Sequence, residues 1–175
     1  RALEATVVKA RDIAEQAATQ ALKRLSVGDA KPADYLSDEQ RKLRTRLRSH
    51  GRQLGDSKDA NGQQSIYKLV TEVAYEHWHR MLFARFLEQN SLLMYDEHTS
   101  LTLAECAELV QDPDVARDEL ERHCQSGWEL AGVLASKMLP QIFRIDSPVF
   151  ELEFAPEHYR SLQHLVTGPA LHTFQ

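Results

Sequence analysis

Four arginines, Arg41, Arg44, Arg48 and Arg52, recur every three or four residues in RKLRTRLRSHGR, and no acid falls between positions 41 and 52. On a helix this spacing holds the guanidinium groups within roughly 80° of one another on consecutive turns. Such a row of cations can follow a phosphate backbone, each contact releasing condensed counterions. Lys42 and Arg46 lie on the other flank. The candidate DNA-contacting set is therefore Arg41, Lys42, Arg44, Arg48 and Arg52. A solvated helix face, or one that pairs with the acidic C-terminal half, accounts for the same pattern.

Other reactive side chains do not converge. His77 and His79 flank Trp78, but residues two apart on a helix point about 200° from each other and cannot chelate one ion. No HExxH occurs, and neither His123-Cys124 nor His158, His164 and His172 form a ligand set by spacing. Cys106 and Cys124 fit no metal spacing and read as two buried thiols. Glu151-x-Glu153 lacks the lysine that a restriction-type nuclease core requires. No GxGxxG or Walker lysine loop is present to cradle a nucleotide. No catalytic, cofactor-binding or metal-ligating residue is assigned.

The elements that would carry these residues are helical. The organising stretch is 65–94, SIYKLVTEVAYEHWHRMLFARFLEQNSLLM, the longest run without Gly or Pro. Ile66, Val70, Val73, Ala84 and Leu87 fall near one line, and Tyr67, Ala74, Trp78, Met81, Leu82 and Phe86 widen it beyond half the circumference. A helix this apolar is surrounded by other helices. Its polar stripe is Lys68, Glu72, Glu76 and His79, with Lys68 and Glu72 spaced for a pair. Arg85 falls inside the arc and requires a carboxylate partner there.

Before it, residues 2–25 read as an Ala-rich helix and Ser37 with Gln40 opens a second through a capping box. Leu36, Leu43, Leu47 and Leu54 form the apolar seam of that helix, and Gly51 weakens its end. After it come a short helix capped by Thr102 and Glu105, one from Pro113 to Cys124, a buried one after Gly127, and a last one over 156–166 closed by Gly168-Pro169. Alternation in VFELEF, 149–154, is the only strand signal, giving at most one short strand, and reads equally as an extended lead-in. The expectation is an all-α, multi-helix bundle around one long buried central helix, forming a single domain over 1–175.

Net charge is -5, which argues against nucleic-acid binding by bulk charge, but the basic segment 41–52 and an acidic one over 96–157 are separate. No apolar run reaches membrane-span length and no signal peptide opens the chain, so a cytoplasmic location is expected. The first residue is Arg1, not Met, and HTFQ ends the chain without a terminating signal; a fragment of a larger protein is expected.

VAYEHWHRMLFARFLEQNSLL, 73–93, resembles the N-terminal helical region of large adenine-specific DNA methyltransferases of type IIG-like restriction-modification and BREX- or DISARM-like phage-defence systems. The matching positions are Val73, Ala74, Tyr75, Trp78, Arg80, Ala84, Arg85, Phe86 and Glu88. LRSHGRQLGD and GWELAGVLASKMLPQIF resemble its flanks, so the similarity runs over most of 40–155. The family's S-adenosylmethionine site and its Asn-Pro-Pro-Tyr loop are absent here, and none of its catalytic residues carries over. The resemblance implies a non-catalytic domain that supports a catalytic methyltransferase domain of the same chain, with S-adenosylmethionine bound there and DNA touched by the 41–52 helix. A stand-alone helical protein–protein interaction module is the competing expectation.

Overall fold

The computed structural model describes residues 1–168; Pro169 and His172 lie outside the described residues. The described residues hold seven α-helices and no strand: α1 Ala2–Arg24, α2 Asp38–Leu54, α3 Tyr67–Gln89, α4 Leu103–Gln111, α5 Glu119–Arg122, α6 Gly127–Met138 and α7 Pro156–Val166. The all-α expectation holds. Contacts divide the described residues into two compact units, one of Val7–Trp78 and Asp146–Leu162, the other of Arg1–Thr6, His79–Ile145 and residues 163–168. The central helix α3 contributes residues 67–78 to the first and 79–89 to the second.

In the first unit, Ala10, Ala14, Ala17, Ala18 and Ala21 of α1 are buried. Small side chains there permit close approach of neighbouring backbone. Ser37 and Gln40 form the expected capping box of α2, and Gly55, at φ 106°, closes it in the left-handed conformation. Asp56 then caps α3: its two carboxylate oxygens accept from the N–H of Lys68 (2.9 Å) and Leu69 (3.0 Å). Gly51 also has a packing role. A Cβ there would lie 3.0 Å from Gln64 Nε2 and 3.3 Å from Asp56 Oδ2.

In the second unit, Ala84, Leu87, Leu93, Leu101, Cys106, Cys124, Leu130, Ala131, Leu134 and Ala135 form one apolar cluster. Thr102 with Glu105 caps α4 as expected. The close approach of α4 and α6 depends on Gly127, where a Cβ would come within 2.8 Å of the Ala107 backbone nitrogen.

Residues 149–154 take the non-strand alternative: Pro148–Phe150 is a 3-10 turn, and Val149, Leu152 and Phe154 are buried without a strand partner. Two expectations are corrected. The helix expected from Pro113 to Cys124 is only α5, because its start is set by the Asp118–Glu121 capping box and not by Pro113. The central helix stops at Gln89, where Ser91 turns left-handed (φ 55°) and the Leu92 N–H bonds back to the Leu87 carbonyl at 2.8 Å.

Candidate nucleic-acid interface

The α2 arginines are mostly an internal structure. The residues of α2 that are buried are Arg44, Leu47, Arg48 and Gly51, whereas Leu43 and Leu54 of the expected seam are only half-buried. Chain geometry gives the reason. Helix α1 ends without a glycine, and Ser26 (φ 56°) turns the chain so that carbonyls after the helix need donors.

Those donors are guanidinium groups. Arg44 donates from Nε to the Ser26 carbonyl (2.9 Å) and from Nη2 to that of Asp29 (2.6 Å). Arg48 donates from Nη1 to Val27 (2.7 Å) and Asp29 (2.6 Å), and from Nη2 to Gly62 (2.8 Å). Arg41 reaches the carbonyls of Leu36 (3.2 Å) and Ala33 (3.3 Å). Arg52 is exposed and donates to Gln64 Oε1 at 3.1 Å; Gln64 in turn donates to the Arg48 carbonyl. Burial lowers the pKa of both Arg44 and Arg48, the nearby arginines push the same way, and Asp29 opposes them.

A continuous phosphate-tracking row is therefore not present: Arg44 and Arg48 are inside, bound to carbonyls. Arg46 pairs with Glu151 at 2.6 Å. Lys42 is exposed and has no bonded partner among the described residues, leaving Lys42 and Arg52 as the outward cations of the candidate set.

His77 is buried, 2.8 Å from the Val149 carbonyl, with its ring 4.2 Å from that of Phe154. His79 lies against Phe143 at 5.3 Å, and burial lowers its pKa. Arg85 has the carboxylate it requires, Glu88, at 2.6 Å. Lys68 does not pair with Glu72; it lies over Gly55, and Glu72 pairs with His50. Cys106 and Cys124 are free and buried.

One polar cluster was not legible from spacing. Lys137 on α6 pairs with Asp118 and, at 2.6 Å, with Glu121, which is buried. Burial lowers the Lys137 pKa, but the hydrogen bonds it donates to both carboxylates, with their charge, outweigh it and raise the value. Among the described residues no group of three or more His, Cys, Asp or Glu could hold a metal ion, and no helix is long and apolar enough to cross a membrane. No family model, no curated protein and no solved structure matches the chain.

Proposed function

We propose that the chain is a non-catalytic helical domain of an S-adenosylmethionine-dependent adenine-specific DNA methyltransferase of a restriction-modification or phage-defence system. Its task is to support the catalytic domain in the cytoplasm. The observation that carries this reading is how α3 uses the positions of the resemblance. Val73, Ala74 and Ala84 are buried, and Arg85 and Glu88 pair within the helix at 12% and 13% side-chain exposure. A helix that uses Val73, Ala74, Ala84, Arg85 and Glu88 of these positions for packing and internal pairing suits a scaffold better than a catalyst. DNA contact, in this reading, is restricted to Lys42 and Arg52 and is weak.

The test is transfer of labelled methyl from S-adenosylmethionine to DNA by the native full-length protein and by these residues alone. Transfer by the full-length form only is the expected result. Transfer by the short chain, or by neither, overturns the reading.

A stand-alone interaction module is favoured by a different observation: Tyr35, Tyr67 and Tyr75 are 70%, 77% and 45% exposed. Light scattering with and without DNA separates the two. A dimer indifferent to DNA supports the module.

A further inference from the structure

A cavity of about 750 Å³ opens in the unit formed by Val7–Trp78 and Asp146–Leu162. Its floor is apolar, with Ala21, Leu25, Phe154 and Ala155 buried and Leu43 half-buried. Of the residues that line it, Glu39, Glu151 and Glu153 are acidic and Arg24 is basic. Two guanidinium groups oppose the acids. Arg46 pairs with Glu151, and Arg24 lies at the edge with Nη2 3.4 Å from the Glu153 carbonyl oxygen. The Glu39 and Glu153 carboxylates have no cationic partner among the described residues. Tyr35 is tied down by a hydrogen bond from its hydroxyl to the Arg24 carbonyl while its ring remains exposed.

We propose that this groove receives a basic peptide segment of a protein partner, an apolar side chain resting on the floor and lysine or arginine side chains reaching the Glu39, Glu153 and Tyr35 rim. The volume suits a few side chains. Lysine and arginine combine a methylene stem that buries with a cationic head that carboxylates and an aromatic face attract. An acidic peptide or a phosphate backbone would meet like charge at Glu39 and Glu153. The proposal is independent of the methyltransferase reading, since it concerns neither DNA nor methyl transfer.

The test is fluorescence anisotropy of a dye-labelled short peptide alternating lysine and leucine, with its glutamate–leucine counterpart as control. Saturable binding of the basic peptide only is expected, weakened about tenfold by Glu39→Lys/Glu153→Lys. Glu39→Gln/Glu153→Gln places no new cation at the start of α2, and a smaller loss in the same direction is expected from it; thermal unfolding verifies that both variants fold. No saturable binding, equal binding of the acidic peptide, or affinity unchanged in folded variants overturns the proposal. So does a dimer of the unliganded protein that the double reversal dissociates, because the occupant is then a second copy of this chain.

Discussion

Arg48 on α2 donates from Nη1 to the carbonyl of Val27, 21 residues earlier, at 2.7 Å. With Arg44 it closes a set of carbonyls that the end of α1 leaves without helical partners. The outward-looking pattern of a phosphate-binding row is thus, for these two residues, an inward clamp on the α1–α2 connection. Charge-assisted bonds of this kind are stronger than neutral ones, and removing Arg48 takes away the donor to the Val27 and Gly62 carbonyls.

Gly127→Ala tests the contact between α4 and α6. A Cβ within 2.8 Å of the Ala107 nitrogen cannot be absorbed by rotating a flexible side chain, so backbone must shift. We expect a loss of about 1–3 kcal/mol in urea unfolding.

The thiols are predicted to be inert in the folded protein. Burial pushes Cys106 up to about 12 and Cys124 up to about 11, with Glu105 and Glu129 respectively adding to the shift. At mildly alkaline pH the thiolate fraction is about one part in a thousand or less. Labelling by a thiol reagent should therefore follow unfolding, and rapid labelling of the native chain would contradict the packing described here.

His79 sets a pH dependence. Burial lowers its pKa below the ordinary 6.5, so the folded state binds fewer protons than the unfolded chain between the two values. Its contribution is complete above the unfolded value and is lost as pH falls through the folded one. The stability lost in His79→Gln should accordingly be largest above pH 6.5 and shrink on acidification, measured by unfolding at several pH values.

Local signals were legible and distant ones were not. Ser37 with Gln40 and Thr102 with Glu105 announce helix starts because each box is complete within four residues. The Asp118–Glu121 box carries the same information, yet Pro113 drew the expected start too early. Tyr67 belongs to the apolar arc by periodicity but is 77% exposed, since an arc wider than half the helix does not say which edge is covered. Arg44 and Arg48 turn inward for carbonyls at 26, 27, 29 and 62, whose positions depend on turns that the α2 pattern does not encode.

The central structural claim is that Arg44 and Arg48 hold the fold together and that, of the candidate set, Lys42 and Arg52 face outward. Urea unfolding of Arg48→Ala beside Lys42→Ala tests it most directly. The account predicts a loss of about 2–4 kcal/mol for Arg48→Ala and a change within about 0.5 kcal/mol for Lys42→Ala. Arg48→Ala unfolding at the wild-type denaturant concentration, with the loss appearing as weaker DNA binding instead, would contradict it.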